Sequence, residues 1–183
     1  MKLNLGCGND YRSGWVNVDS NTNVKCDAVI KLGDHILPIN DNSVEEVLMC
    51  NSLEHIKDFW RFIDDLYRVC KDGAKIHIIV PHYSTATAFS PQHYTYWTVG
   101  SWFTMDVSAS NNTADECYSA FKCTLDSVRL NWLSHYAGIS SKLYKIGLPF
   151  EIMANHFGLY WLQFAERWPF GWAEIEYQLT IKK

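Results

Sequence analysis

A glycine turn caught between two short apolar runs constrains this chain more than any other feature. Leu3-Asn4-Leu5 reads as a short buried strand, and Gly6-Cys7-Gly8-Asn9-Asp10 follows as a tight turn at its carboxyl end. Val16-Asn17-Val18 reads as a second strand, closed by Asp19. In an open parallel sheet, ligands bind in the crevice beyond the carboxyl ends of the strands. Glycines there let backbone N–H groups approach a ligand, and an acid ending the next strand can hold two ribose hydroxyls.

Only the stretch Asn9 to Gly14 separates these two strands, with few apolar residues in it. A parallel crossover normally takes a dozen or more residues, usually helical. The first crossover helix is therefore shortened or absent, and the full GxGxxG fingerprint is missing. Any argument for a helix N-terminus beneath the ligand is weakened accordingly.

Further along, Ala28-Val29-Ile30 is a third strand and Val47-Leu48-Met49-Cys50 a fourth, fully apolar one. Ser43-Val44-Glu45-Glu46 has capping-box spacing and predicts a short helical turn. From Lys57 to Lys71, Phe59, Ile63, Leu66 and Cys70 recur at helical intervals, with Gly73 placed to end the helix. Ile76 to Val80 is a fifth strand, stopped by Pro81. Phe121 to Trp132 alternates as a sixth strand, with a bend or bulge at Asp126-Ser127. Glu151 to Trp168 predicts a helix apolar around most of its cylinder, stopped by Pro169 and Gly171. Ala173 to Ile181 alternates as a final strand, antiparallel and at or near the sheet edge.

Leu5-Gly6-Cys7-Gly8 and Val18-Asp19 resemble class I S-adenosylmethionine (SAM) dependent methyltransferases. Leu37-Pro38-Ile39-Asn40-Asp41-Asn42-Ser43, Ser52-Leu53-Glu54-His55 and Arg68-Val69-Cys70-Lys71-Asp72-Gly73 extend the match in the expected order. Ser90-Pro91-Gln92-His93 and Glu174 to Leu179 are similar to a small bacterial subgroup linked to surface-glycan synthesis. The resemblance implies an α/β, Rossmann-like sheet, mostly parallel with an antiparallel C-terminal strand and helices between layers. It also implies SAM as cofactor, with contacts from Leu5, Gly6, Cys7, Gly8, Asp19, Leu32, Asp34, Asn51, Ser52 and Leu53. Leu32 would cover the adenine ring and Asp34 would accept from its amino group, although Asp34 beside Gly33 also reads as a plain turn residue. His55 reads as a helix-start residue without chemistry.

At 183 residues, one domain spanning 1–183 with a sizeable core is expected. Residues 82 to about 120 break all periodicity and form a candidate acceptor lid leaving the fifth strand. A net charge of −4 without a Lys/Arg run argues against broad nucleic-acid binding. No apolar stretch approaches the length of a membrane span. The chain opens directly on a core strand, without room for a signal peptide, and the six scattered cysteines read as reduced thiols of a cytoplasmic protein.

Methyl transfer from a sulfonium is an in-line displacement in which the protein supplies alignment and proton removal. His93 and His82 are the candidate bases. His93 sits in a family-like Asp-Pro-x-His run in which Ser90 replaces the acid. Tyr83, Tyr94, Tyr96 and Trp97 are candidates for stacking on an acceptor, with local packing as the default reading. No Cys/His cluster has ligand spacing, so no metal is expected. The partner expected is a small-molecule or glycan-linked acceptor methylated on oxygen or nitrogen, with a homo-oligomer left open by the apolar helix. A non-catalytic SAM- or nucleoside-binding subunit is the alternative. A nicotinamide-dependent oxidoreductase shares the glycine turn and the acid but not the later series.

Overall fold

The computed structural model describes residues 1–108, 119–132, 141–167 and 172–183. Its strands are β1 (Lys2–Leu5), β2 (Val16–Asp19), β3 (Ala28–Val29), β4 (Val44–Cys50), β5 (Cys70–Pro81), β6 (Cys123–Asn131) and β7 (Glu174–Ile181). They form one sheet in the order β3-β2-β1-β4-β5-β7-β6. The first five pair in parallel, whereas β7 runs antiparallel between β5 and β6. The expected mostly parallel sheet with an antiparallel C-terminal strand is thus the one observed. The order reverses at β1 and β4, which places a topological switch point beyond Leu5 and Cys50.

The core is what the apolar runs dictate. Leu3, Leu5, Val18, Val47, Met49, Ile76, Ile78 and Val80 are buried, as befits strands in the middle of a sheet. Helix α1 (Phe59–Val69) buries Phe62, Ile63, Leu66 and Val69 and is capped by Asp58, whose side chain accepts from the Arg61 N–H. It ends earlier than Gly73 suggested. Gly73 lies inside β5 at φ 78°, where the pairing with β4 skips from Val44↔Cys70 to Glu46↔Lys75.

Two local readings are corrected. Residues 43–46 do not form a helical turn: Val44 to Glu46 belong to β4, where Lys2 and Lys71 pair with Glu46 and Glu45 from the neighbouring strands. Sheet pairing overrides the capping-box pattern. The expected helix over 151–168 is two helices, α2 (Ser141–His156) and α3 (Leu159–Ala165), broken at Gly158 with φ 83°. Trp168, Pro169 and Gly171 lie outside the described residues.

The bulge expected at Asp126-Ser127 is present, as the β6–β7 register shifts between Leu125 and Ser127. The final strand is next to the edge, which is formed by β6. No helix among the described residues is long and apolar enough to cross a membrane.

The missing first helix has a specific replacement. Two buried asparagines, Asn4 on β1 and Asn17 on β2, hold the 9–15 segment directly against the sheet. Asn4 Nδ2 donates to Asp10 O at 2.6 Å and to Asn17 Oδ1 at 3.1 Å. Asn17 Oδ1 also accepts from the Arg12 N–H at 2.8 Å, and its Nδ2 faces Arg12 O and Trp15 O at 2.9 and 3.1 Å. Asp27 closes the network, accepting from Asn17 N at 2.7 Å, from Asn17 Nδ2 at 2.9 Å and from the Tyr11 hydroxyl at 2.9 Å. Side-chain amides here satisfy backbone groups that a crossover helix would have satisfied within itself.

Candidate functional site

The carboxyl ends of β1, β2 and β4 open onto a cleft of about 810 Å³. Gly6, Gly8, Asp19, Leu32, Asp34, Asn51 and Ser52, seven of the residues named from the sequence, line it. Gly6 approaches Ser52 so closely that a Cβ at position 6 would lie 2.3 Å from Ser52 Cβ. Ser52 Oγ in turn donates to Leu5 O at 2.8 Å, locking the β4 loop to the end of β1. Gly8, at φ 51°, has no atom within 4 Å of where a Cβ would stand.

The N–H groups of the glycine turn differ from expectation. Gly6 N and Cys7 N both donate to Val18 O, at 2.8 and 3.0 Å, and Gly8 N donates to Asp19 Oδ2 at 2.7 Å. The turn therefore presents shape rather than N–H donors. Asp19 Oδ1 accepts from Asn21 N at 2.8 Å, so both carboxylate oxygens are oriented by the backbone. Each keeps acceptor capacity for a further donor.

Three residues named from sequence are not in the wall. Leu5 and Leu53 are fully buried core side chains, and Cys7 is buried with Sγ turned to Lys25 O at 3.8 Å. They alternate with wall residues, and the apolar or soft side chain turns inward at each. Asp34 lies on the wall but is paired with Lys31 Nζ at 2.9 Å, which holds its carboxyl below the ordinary value. Asn51 sits at φ 48° and reaches Glu174 Oε1 through Nδ2 at 3.1 Å. A non-glycine residue in that region at a cleft wall is a usual form of strain at a functional site.

The lid expectation divides in two. Residues 97–105 put Trp97, Val99, Trp102 and Met105 into the core: Trp97 and Trp102 are stacked at 5.6 Å between centroids, and the Tyr177 hydroxyl donates to Thr98 O. Pro91, Gln92 and Tyr94 reach the cleft, with Tyr94 N donating to Glu54 O at 2.8 Å. Tyr96 is exposed against Phe89, and Tyr83 packs on His82. Asn111, Asn112, Asp115 and Cys117 lie outside the described residues, as does His135.

Of the two candidate bases, the fold keeps one near the cleft. His82 is 0% exposed, with Nδ1 at 2.8 Å from Ser84 Oγ and Nε2 at 3.5 Å from Glu166 Oε2. It follows Pro81 at the end of β5, and it does not line the cleft. His93 lies edge-on to His55 at 4.6 Å between centroids, and His55 is part of the wall. Burial moves the His93 pKa below the ordinary value; a hydrogen bond to Ala88 O opposes this and His55 adds to it.

Sequence reasoning missed Glu54 and His55. Glu54 is 1% exposed, its Oε2 has no hydrogen-bond partner, and burial raises its pKa to about 7; a hydrogen bond from its own backbone opposes this and the Glu174 charge adds to it. One ligating atom each from Glu54, His55 and His93 lies within 4.8 Å of the others. The Leu-Glu-His run was visible, but nothing in the sequence places residue 93 beside it.

Residues 3–78, which form the switch-point half of the sheet, match the family model described as a methyltransferase domain. Over residues 3–78 the chain is a methyltransferase domain of the class I SAM-dependent kind. S-adenosylmethionine is the cofactor of that domain. The methyltransferase fold extends through β7. A Haloferax volcanii putative methyltransferase solved in complex with the Trm112 activator is 14% identical, with a TM-score of 0.57, covering 100% of this chain and 82% of that one. A SAM-dependent methyltransferase from Archaeoglobus fulgidus is 13% identical at a TM-score of 0.55, covering 98% and 85%. The [4+2]-cyclase SpnF is 12% identical at a TM-score of 0.52, covering 99% and 75%. The last shows that this fold by itself does not dictate the reaction. No curated protein matches the chain in sequence.

Proposed function

We propose that this methyltransferase moves a methyl group from SAM to an oxygen or nitrogen of a small-molecule or carbohydrate-linked acceptor, in the cytoplasm. The observation that carries this reading is that one cleft is lined by both the Gly8–Asp19 pair and His55, against which His93 packs. One end suits a nucleoside and the other a polar acceptor.

The residues present fit the nucleoside part of SAM. Asp19 offers two oriented carboxylate oxygens to a pair of vicinal hydroxyls, and the space at Gly8 admits a ligand against the backbone. Leu32 would pack on the adenine face, with Asp34 near its amino group. Asn51 and Ser52 would border the amino-acid part. Bound there, SAM supplies an electrophilic methyl group on its sulfonium sulfur.

A dinucleotide fits poorly. A pyrophosphate needs N–H donors from the glycine turn and a helix N-terminus. Here the N–H groups of Gly6, Cys7 and Gly8 already have acceptors, and β1 runs to β2 without a helix. This supports SAM over a nicotinamide cofactor.

On the acceptor side, His93 is the proposed polar contact. Its Nδ1 lies 3.1 Å from Ala88 O, an acceptor only, so Nδ1 carries the proton and Nε2 keeps its lone pair. That lone pair is what a hydroxyl or ammonium acceptor would meet, and Tyr94 would flank it. The glycan-linked acceptor rests on the Ser-Pro-Gln-His and C-terminal resemblance alone.

The test is formation of S-adenosylhomocysteine from SAM across a panel of sugars, amines and nucleotide sugars. Turnover that depends on one acceptor class supports the proposal. Tight SAM binding with no turnover on any acceptor would favour the non-catalytic subunit instead.

A further inference from the structure

We propose that Glu54, His55 and His93 form a binding site for a single divalent metal ion of the zinc class, at the acceptor end of the cleft. The three residues come from two separate stretches, the turn after β4 and the 82–108 segment. Their ligating atoms already lie within 4.8 Å of one another without an ion present. Small side-chain rotations would bring them to ligand distances.

Each member is prepared in the way a ligand must be. His55 Nδ1 lies 3.2 Å from Gln92 O, and His93 Nδ1 lies 3.1 Å from Ala88 O. A carbonyl can only accept, so each Nδ1 carries a proton, and in the neutral tautomer this selects, the lone pair is on Nε2. Fixing one ring nitrogen on a backbone carbonyl while the other binds metal is the usual second-shell arrangement of ligating histidines. Glu54 supplies the negative charge. It is nine-tenths buried or more, and its Oε2 has no partner in a position where an unpaired carboxylate is unfavourable. A cation accounts for that orphaned oxygen.

The donor set selects the ion. Two imidazoles and one carboxylate, with no thiolate, suit Zn²⁺, Co²⁺, Fe²⁺ or Ni²⁺ better than Mg²⁺ or Ca²⁺. Three protein ligands with further positions unfilled match catalytic rather than structural zinc sites. Because His55 is itself a wall residue, an ion here would touch the cleft. No spacing along the chain signals such a site, since the ligands meet only where the loop carrying His93 and Tyr94 returns beside Glu54.

This inference rests on the acceptor-side reading above only for the ion's role, not for its existence. With an ion bound, His93 Nε2 is a ligand in place of its direct contact with the acceptor, and the ion meets the acceptor oxygen or nitrogen instead.

The test is titration of the full chain, stripped with a chelator, with Zn²⁺ and Co²⁺, followed by calorimetry, visible absorption and melting temperature. The expected result is one equivalent of Zn²⁺ bound and a raised melting temperature. Co²⁺ should give weak d–d bands without thiolate charge transfer. His55→Ala, at an exposed position that the fold tolerates, and His93→Ala should each weaken binding at least about tenfold. His156→Ala, outside the cluster, should not. Absence of saturable binding would overturn the proposal, as would His55→Ala binding like the wild type or a thiolate Co²⁺ spectrum. If chelator-treated protein turns over fully and binds no metal, the metal site falls and the methyltransferase reading stands. If metal binds as described and no acceptor is methylated, the reverse holds.

Discussion

The backbone N–H of Gly8 donates to Asp19 Oδ2 at 2.7 Å, joining the glycine turn to the acid that ends the next strand. The two features that stand out in the sequence are thus one unit. The turn orients the carboxylate, and the carboxylate holds the turn in a left-handed conformation that leaves the cleft open. No helix dipole contributes to this end of the site.

Gly6→Ala should both destabilise the protein and damage the cleft. Position 6 has φ 71°, and the new Cβ would meet Ser52 Cβ at 2.3 Å. Neither the backbone nor the β-carbon of Ser52 can yield cheaply. The expected loss is roughly 2 kcal/mol or more, read by urea denaturation. SAM affinity should fall with it, because Ser52 carries the opposite wall.

Asn17→Ala tests the helix-free crossover. Asn17 is 0% exposed, and it bonds to Asn4, Arg12, Trp15 and Asp27. Removing the amide takes the partner from the half-buried Arg12 N–H and Trp15 carbonyl, at about 1 kcal/mol or more for each group not rescued by water. Hydrogen exchange should show residues 9–15 losing protection before the rest of the sheet.

Acid should loosen the same network through Asp27. Hydrogen bonds from Asn17, through its backbone and then its side chain, and from Tyr11 hold the Asp27 carboxyl below the ordinary value. The folded pKa is therefore lower than the unfolded one. Its stabilising contribution is complete above about pH 4 and is lost as pH falls through the folded value. Melting temperature measured from pH 5 downward should drop less steeply in Asp27→Asn than in the wild type.

Tyr177→Phe should weaken the attachment of the 97–105 segment. The buried Tyr177 hydroxyl is the donor to Thr98 O, and its loss leaves that carbonyl with the Ser101 N–H as its remaining donor. A destabilisation of about 1–2 kcal/mol is expected from equilibrium unfolding, without loss of SAM binding.

The sequence was most readable where local pattern and global packing agree. β1, β2, the face of α1 and β7 all carry their burial in their periodicity, and Asp126-Ser127 marks its own bulge. It misled where a local motif competed with a long-range partner. Ser43 to Glu46 spells a capping box, yet pairing with Lys2, Cys70 and Lys75 makes it a strand. Within the site, the Gly6, Gly8 and Asp19 wall was legible because strand ends and turns are local. The fate of the turn's N–H groups was not, since it depends on Val18 O across the sheet. Glu54, His55 and His93 were hidden for the same reason: no spacing rule links the turn after β4 to the return of the lid.

The most direct measurement is calorimetric titration of SAM into the wild type and Asp19→Ala, with NAD in parallel. We predict saturable SAM binding to the wild type, no binding of NAD, and affinity lowered about tenfold or more by Asp19→Ala, through loss of a charged acceptor. Unchanged SAM affinity in a folded Asp19→Ala protein, or NAD binding in place of SAM, would contradict the placement of the nucleoside beside Gly8.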